Sequence, residues 1–173
     1  MEKVSISRVT AADIDMLQTI GKQTFIETFA PHNSEENMTQ YLEDGFSREK
    51  LIAEINTEGT TFYFAQLAGR IIGYLKINTG AAQTEIQDSN ALEIERIYVV
   101  QEYHGRKVGQ LLYEWAVQIA CERKFDYVWL GVWEHNTKAI RFYEKNGFVP
   151  FNKHIFILGD DEQTDIMMKK RLK

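Results

Sequence analysis

Hydrophobic residues recur at helical spacing in the second half of the chain and predict its longest helix. The apolar positions fall at i, i+3, i+4, i+7, i+8, i+11 and i+12, as on one face of an amphipathic helix; they are Val108, Leu111, Leu112, Trp115, Ala116, Ile119 and Ala120. The run Ala91–Val100 before this helix is rich in β-branched and aromatic residues, which favours a strand. The nearly continuous apolar run Tyr127–Trp133 after it is typical of a strand buried on both faces. A strand, a helix and a strand in this order predict two parallel strands joined by a crossover.

The first half of the chain predicts a strand, three helices and a hairpin. Apolar and polar residues alternate over Val4–Val9, and Thr10, Ser34 and Ser47 are suitable caps for three helices that follow. Two strands in Thr60–Asn78 surround a turn at Ala68-Gly69. The helix residues expected to face the core are Ile14, Leu17, Ile20, Phe25, Phe29, Met38, Tyr41, Leu42, Leu51, Ile52 and Ile55.

The C-terminal part predicts a short helix and a last pair of strands. Asn136 is placed to cap the helix, and Gly147 is placed to end it. "FVPFNKHIFIL" and "TDIMMKKRL" then read as two strands around the acidic turn "GDDEQ". Together these elements predict an α+β fold with a mixed, mostly antiparallel sheet of six to seven strands, one parallel pair and helices on both faces. Without a linker or an internal repeat, residues 1–173 are expected to form a single domain.

Composition and charge narrow the classes of partner. Apolar residues at 44% and aromatic residues at 12% exclude a disordered chain. The net charge of -5 argues against nucleic acid or an anionic membrane and permits a cationic partner. Cys121 is the only cysteine, which suits a reducing cytosol and is expected to be a small buried residue. The absence of an apolar leader at the N-terminus and of an 18-residue apolar run predicts a cytoplasmic protein without a membrane span.

The segment "VVQEYHGRKVGQLL" joins a strand to the longest helix and is a candidate anion site. The N-terminus of a helix presents unpaired N–H groups and a partial positive charge. No acidic residue lies between Tyr103 and Gln110, while Arg106 and Lys107 are basic. The alternative is an ordinary turn that needs glycine for its conformation. Neither the Walker pattern nor the three-glycine dinucleotide pattern is present.

A second candidate is the segment "HNTKAIRFYEKNGF", residues 135–148. If Asn136 caps the helix, Tyr143 shares one face with Ala139 and Ile140. A tyrosine hydroxyl, with an ordinary pKa of about 10, can donate a proton. The alternative is a core aromatic residue whose hydroxyl is bonded to backbone.

The two segments together resemble the GNAT acetyltransferases. The resemblance extends over "LEIERIYVV", "HGRKVG", the long helix, "VWLGVW" and the pattern NxxAxxFYxxxGF, which is met in full from Asn136 to Phe148. "ETF", "NSEENMTQYLE", "WLGVWEHN" and "GDDEQTDIMM" further resemble the PaiA type of bacterial spermidine/spermine acetyltransferase. The family's phosphate turn reads Gln/Arg-x-x-Gly-x-Gly/Ala. His104 and Lys107 depart from it here.

The resemblance implies a site for acetyl-coenzyme A and no metal. The backbone groups of Ile97, Tyr98 and Val99 would pair with the pantetheine arm. The pyrophosphate would lie on the phosphate turn, whose residues are His104, Gly105, Arg106, Lys107, Val108, Gly109 and Gln110. Asn136 and Lys145 complete the expected coenzyme contacts. Lys107 is expected to be helical, and therefore unstrained, because it lies at the opening of a helix.

The same resemblance implies the chemistry of acetyl transfer. Tyr143 would protonate the leaving thiolate, and Glu95 would remove a proton from the amine, through water or directly. A structural ion pair of Glu95 with Arg96 or another cation is the alternative. The expected acceptor is a polyamine, with candidate carboxylates at Glu35, Glu36, Glu43, Asp44, Asp160, Asp161 and Glu162. Solvated carboxylates without a role are the alternative for these residues.

Other functions stay open at this stage. The acceptor could instead be a protein N-terminus, a lysine or an aminocyclitol drug. Because two positions of the phosphate turn depart from the pattern, a coenzyme-binding regulator without catalysis is a further alternative. A homodimer is also left open.

Overall fold

The computed structural model describes residues 3–172, so the ends of the predicted domain (residues 1, 2 and 173) lie outside the described residues. The strands are β1 (Ser5–Arg8), β2 (Thr60–Leu67), β3 (Arg70–Thr79), β4 (Ala91–Val99), β5 (Tyr127–Trp133), β6 (Val149–Leu158) and β7 (Asp161–Arg171). The helices are α1 (Ile14–Phe29), α2 (Glu35–Gly45), α3 (Arg48–Ile55), α4 (Val108–Glu122) and α5 (Thr137–Lys145). Every predicted element is confirmed in type and order.

Two of the three predicted helix starts in the first half of the chain are confirmed by side-chain cap bonds. Ser34 accepts a bond from the Asn37 N–H at 3.1 Å and begins α2. Ser47 accepts a bond from the Lys50 N–H at 3.2 Å and begins α3. Thr10 and Asp13 form a reciprocal capping box, and the chain passes through one 3₁₀ turn before α1 begins.

The strands form one mixed sheet in the order β1-β2-β3-β4-β5-β7-β6. Only β4 and β5 run parallel, joined by α4; all other neighbours are antiparallel. α4 packs on one face of the sheet through Val108, Leu112 and Ala116. α1, α2 and α3 cover the other face, where the core residues include Leu17, Leu51, Phe25, Phe29 and Met38. The predicted α+β architecture with helices on both faces is therefore confirmed.

The parallel pair opens halfway along its length. Pairing begins at Ala91 opposite Tyr127 and ends at Ile94 opposite Leu130, although β4 continues to Val99 and β5 to Trp133. The first four residues of β4 are buried, whereas the five from Glu95 onward are partly exposed. The sheet thus contains a cleft between the diverging ends of β4 and β5, called the splay below.

A β-bulge lies where the splay begins. Lys76 pairs with Arg96 and the next β3 residue, Ile77, pairs with Ile94, so Glu95 is the extra residue on β4. Bulges bend a strand and change the direction of its side chains. As a result, Glu95 and Arg96 both reach polar partners on the α3-covered side of the sheet.

Two predictions about local structure are wrong. Cys121 is exposed rather than buried, because it follows Ala120, the last residue of α4 that faces the sheet, and lies off that face of the helix. The turn between the last two strands is shorter than "GDDEQ", since β6 ends at Leu158 and β7 begins at Asp161. Glu162 and Gln163 therefore belong to a strand. In the described part of the chain, no helix is both long and apolar enough to cross a membrane.

Candidate active site

The turn before α4 presents a row of free backbone donors at the open end of the splay. The first backbone bond of α4 is from the Leu111 N–H to the Lys107 carbonyl, 3.1 Å. Within the described chain, none of the amide groups from Gly105 to Gln110 donates a backbone hydrogen bond. Glu102, the acidic residue just before this turn, is paired with Arg70. The turn can therefore accept an anion without repulsion from a free carboxylate in it.

Lys107 is not helical, and the prediction that it would be is wrong. Its backbone has φ 63° and ψ 20°, a left-handed conformation that L-residues adopt at a cost of about 1–2 kcal/mol. Gly105, with φ 83°, is also in this region and needs no such cost. Helix α4 begins one residue later, at Val108, so Lys107 still belongs to the turn that reverses the chain. The lysine therefore occupies a position where glycine would be unstrained.

His104 contacts the edge of β4 rather than standing free. Its Nε2 lies 2.7 Å from the Val99 carbonyl oxygen. The Val100 N–H bonds to the Ile72 carbonyl on β3, and backbone groups alternate along an antiparallel strand. Ile97 and Val99 therefore turn their backbone groups toward the splay, whereas those of Tyr98 face β3. Of the three residues expected to pair with a pantetheine arm, Tyr98 is the one whose backbone is directed elsewhere.

Tyr143 lies against the core beneath α5 with its hydroxyl uncommitted. The residue is 7% exposed, and its ring contacts those of Phe142 and Phe148. Burial alone raises its pKa, with no hydrogen bond or charge contributing. Burial also raises the pKa of Tyr98, and the proximity of Tyr143 adds to that rise. The two hydroxyl groups are thus within electrostatic range of each other. Tyr143 stays protonated at neutral pH and can act as a donor.

The remaining predicted coenzyme contacts lie on α4 and α5. Asn136 caps α5 through its side-chain oxygen, which accepts a bond from the Ala139 N–H at 3.2 Å. Its amide nitrogen is left as the group that could reach a ligand. The Gln110 side chain bonds to Asn146 at 3.1 Å, so only its backbone amide remains for an anion. This amide pair, which the sequence did not predict, ties the start of α4 to the end of α5. Lys145 is exposed in the last turn of α5.

Glu95 lies in a buried charge network. Its Oε2 accepts a bond from Lys76 Nζ at 2.9 Å, and its Oε1 accepts one from Asn78 at 2.9 Å. Lys76 also bonds to Glu54 on α3, and Arg96 lies 3.5 Å from both carboxylates. Burial favours the neutral acid, but Arg96 and Lys76 outweigh it and hold the pKa of Glu95 below its usual value. The structural ion pair that the sequence left open is therefore present, with Lys76 as the closer cation.

A histidine between two carboxylates lies beside the splay and was missed by sequence reasoning. His154 on β6 is 3.3 Å from Asp165 on β7 and 3.3 Å from Glu85 in the loop after β3. A Cβ atom on Gly131 would lie 3.0 Å from the His154 ring and 3.6 Å from the Asp165 carboxylate. Burial raises the pKa of Asp165, although His154 opposes the rise. An isolated glycine in the apolar strand "YVWLGVW" was the available signal, because such a glycine often marks a close approach.

The acidic candidates fall into two groups. Glu35, Glu36, Glu43 and Asp44 are exposed on α2 and line no cavity described here. Asp160, Asp161 and Glu162 lie instead at the β6–β7 turn, beside the end of β5. They line two adjoining cavities of about 590 and 420 Å³ that share His32 and Asp161. Only the second group is therefore placed near the splay.

Comparisons with known proteins agree with this geometry. The profile of the acetyltransferase (GNAT) family matches residues 22–148. An uncharacterized N-acetyltransferase in the pepI 3′ region of Lactobacillus delbrueckii subsp. lactis is 42% identical over 172 residues, which cover 99% of each chain. The spermidine N(1)-acetyltransferase of Thermoplasma acidophilum is 25% identical over 172 residues, 97% of each chain.

The fold is also found in a solved structure. The crystal structure of PaiA N-acetyltransferase from Thermoplasma acidophilum in complex with coenzyme A superposes with a TM-score of 0.80 at 24% identity, covering 98% of this chain and 99% of that one.

The chain belongs to the acetyltransferase (GNAT) family. It is an N-acetyltransferase that uses acetyl-coenzyme A as its acetyl donor. Both parts of the site fit this cosubstrate. The free amides of the phosphate turn offer hydrogen-bond donors to a pyrophosphate. The splayed strands offer backbone groups along their edges to an extended arm that contains amides.

Proposed function

We propose that this protein acetylates a primary amine of a polyamine such as spermidine or spermine, by direct attack of the amine on the thioester. The observation that carries the proposal is the acidic β6–β7 turn beside the end of the splay, where Asp161 and Glu162 line a cavity together with Trp133. A polycation needs carboxylates and an apolar wall in one place. The spermidine acetyltransferase from Thermoplasma supports the same substrate class, because it aligns over 97% of this chain.

Coenzyme binding is assigned to two parts of the chain. The amides from Gly105 to Gln110 would hold the pyrophosphate, with Arg106 and Lys107 adding positive charge. Ile97 and Val99 would offer backbone groups to the pantetheine arm, and the amide nitrogen of Asn136 would contact it from α5. His104 contacts the Val99 carbonyl oxygen, so a ligand that uses this oxygen would take its second lone pair. Lys145 is the last residue of α5 and is exposed, so it would reach only the outer part of the coenzyme.

Acetyl-coenzyme A supplies an activated acetyl thioester. The acceptor must arrive at the splay as a neutral amine, since an ammonium has no lone pair, and amines of this kind have a pKa of about 10. Glu95 borders the splay and is ionised at neutral pH, so we assign it to draw the proton away through water. Its lowered pKa makes it a weak base in direct contact. Tyr143 then delivers its hydroxyl proton to the departing sulfur.

No covalent acyl-enzyme is required on this route. Cys121 is exposed near the C-terminal end of α4, at the opposite end of that helix from the phosphate turn, and takes no part. A single cysteine and a thioester cosubstrate both suit the reducing cytosol in which we place the enzyme.

A panel of acceptors tests the proposal. Purified protein is incubated with acetyl-coenzyme A and spermidine, spermine, a simple alkylamine, a lysine peptide or a peptide with a free N-terminus. Acetylated products are identified by mass spectrometry and free thiol is measured in parallel. We expect the highest kcat/KM with the polyamines. Turnover of polyamines no faster than of the alkylamine would refute the substrate class. Tight coenzyme binding with no acetylated product would favour the regulator.

A further inference from the structure

The side chain of Tyr98 borders the splay and has no part in the mechanism described so far. Tyr98 lies on β4 beyond Ile94, the last residue that pairs with β5, so it belongs to the part of the strand that borders the splay. It pairs with Tyr74 on β3, and the two ring centroids are 6.0 Å apart. Directly paired residues of antiparallel strands project from the same face of the sheet, which here is the face covered by α1 and α3.

The Tyr98 hydroxyl has hydrogen-bonding capacity left for a ligand. Within residues 3–172 it makes no hydrogen bond, and it is not sealed from solvent as the hydroxyl of its neighbour Tyr74 is. Burial raises the pKa of Tyr98, which shows that protein atoms surround the hydroxyl, although the side chain is partly exposed. A group that is surrounded and still open to solvent lines a crevice, and the crevice at this part of the sheet is the splay.

Tyr98 and Tyr143 border the splay from opposite faces of the sheet. Tyr143 packs in the core on the α4 side, whereas Tyr98 packs against the core beneath α1 and α3. Apart from burial and the neighbouring tyrosine on β3, three groups act on the pKa of Tyr98: Arg96 lowers it, whereas Tyr41 on α2 and Tyr143 on α5 raise it. The Tyr98 hydroxyl therefore lies between the buried charge network and the proton donor for the leaving sulfur.

We propose that the Tyr98 hydroxyl binds the reacting amine by accepting a hydrogen bond from its N–H as the nitrogen attacks the thioester. The hydroxyl oxygen offers two lone pairs and stays uncharged at neutral pH. Unlike a free carboxylate, it therefore does not favour the unreactive ammonium over the neutral amine. One N–H points at Tyr98, and the nitrogen lone pair remains directed at the carbonyl carbon.

This hydrogen bond strengthens as the reaction proceeds. The nitrogen becomes positively charged when the new C–N bond forms, and hydrogen bonds from a charged donor are stronger. The excess proton of the nitrogen then leaves through water toward Glu95, the C–S bond breaks, and Tyr143 protonates the sulfur. Tyr98 keeps its own proton throughout. The assignment rests on the direct attack proposed above and not on the acceptor being a polyamine.

Tyr98→Phe removes the hydroxyl and keeps the ring. We measure kcat/KM with spermidine, butylamine and a lysine peptide at saturating acetyl-coenzyme A. Because all three share the reacting primary amine, the variant should lose about ten- to hundredfold with each acceptor that the wild type uses, the value of a hydrogen bond to a group that becomes charged. The ratios between acceptors should stay unchanged. Tyr74→Phe is the matched control, since it removes the sealed hydroxyl of the neighbouring ring and should leave kcat/KM unchanged.

Binding measurements determine what the hydroxyl contacts. The affinities of coenzyme A and acetyl-coenzyme A are measured by calorimetry, with thermal unfolding as a check on folding, and both should match the wild type in Tyr98→Phe. Weaker binding of acetyl-coenzyme A alone would place the hydroxyl at the acetyl oxygen, and weaker binding of both would place it in the coenzyme site; either result overturns the assignment. A folded Tyr98→Phe protein with wild-type kcat/KM, or an equal loss in Tyr74→Phe, overturns it as well. If polyamines are not preferred but every acceptor loses the same factor in Tyr98→Phe, the polyamine proposal fails and the role of Tyr98 stands.

Discussion

Replacing Lys107 with glycine tests the conformation of the phosphate turn. The backbone at Lys107 is left-handed, with φ 63°. Glycine removes the strain of about 1–2 kcal/mol that a side chain suffers there. It also makes the unfolded chain more flexible, and this effect cancels about 0.4–1 kcal/mol of the stability gained by removing the strain. We expect the free energy of unfolding to rise by about 0.5–1 kcal/mol, which corresponds to about 1–4 °C in Tm for a chain of this size.

The same substitution removes a cation next to the expected pyrophosphate. An exposed charge of this kind contributes about 0.3–1 kcal/mol at low salt. Coenzyme A should therefore still bind, with a dissociation constant raised about two- to fivefold at low salt. The difference should shrink as salt screens the charge. Lys107→Ala separates the two effects, because alanine loses the charge but keeps the strain: it should weaken binding equally and raise Tm less than Lys107→Gly does.

Lys124 provides a matched control just beyond the other end of the same helix. It is also exposed and left-handed, with φ 61°, but it follows the C-terminal end of α4. Lys124→Gly should leave coenzyme binding unchanged. It should stabilise less than Lys107→Gly, because a cation is favourable at the C-terminus of a helix and unfavourable at the N-terminus. Tm is measured by calorimetry and affinity by titration at two salt concentrations. A lower Tm for Lys107→Gly, or loss of coenzyme binding, would refute the reasoning.

Three further variants test the groups in and below the splay. Tyr143→Phe should lower kcat about 10²- to 10⁴-fold with coenzyme affinity unchanged, whereas Tyr127→Phe, away from the splay, should retain wild-type kinetics. Glu95→Gln should cost about 1–3 kcal/mol of stability near neutral pH. Folding lowers the pKa of the Glu95 carboxyl, so its contribution to stability is fully present above the unfolded-state pKa of about 4.3. That contribution is lost as the pH falls through the lowered pKa of the folded state. The urea midpoints of the variant and the wild type should therefore converge in acid. Lys76→Met should cost about 3 kcal/mol by the same measurement, because Glu54 and Glu95 then lose their closer cation and keep only Arg96 at 3.5 Å; an unchanged midpoint would contradict the buried network.

Local pattern was sufficient to predict the elements of this fold. The seven apolar positions of α4 share one face in any helix, and Ser34 and Ser47 cap their helices through bonds within three residues. Such interactions depend on spacing along the chain, so they can be predicted from the sequence. The parallel pair followed from the order strand, helix, strand.

The candidate site was predictable only in part, because its residues are related by the sheet. The sequence proposed the turn before α4, Tyr143 and Asn136 as site candidates, but it could not predict the bulge at Glu95, which depends on pairing with β3. Nor could it predict that Lys76, 19 positions away, would be the partner of Glu95.

The conformation of Lys107 is the clearest division between the two sources. The sequence determined that a basic residue stands where a glycine would be expected, directly before a helix. Whether that residue begins the helix or still belongs to the turn depends on where the 3₁₀ turn after β4 delivers the chain, and His104 anchors this turn to the Val99 carbonyl. The tertiary structure therefore decided that Lys107 is left-handed, just as it decided that His154, Asp165 and Gln163 lie beside the splay. The contact between His154 and Asp165 joins residues of two strands, β6 and β7, and no spacing along the chain encodes it.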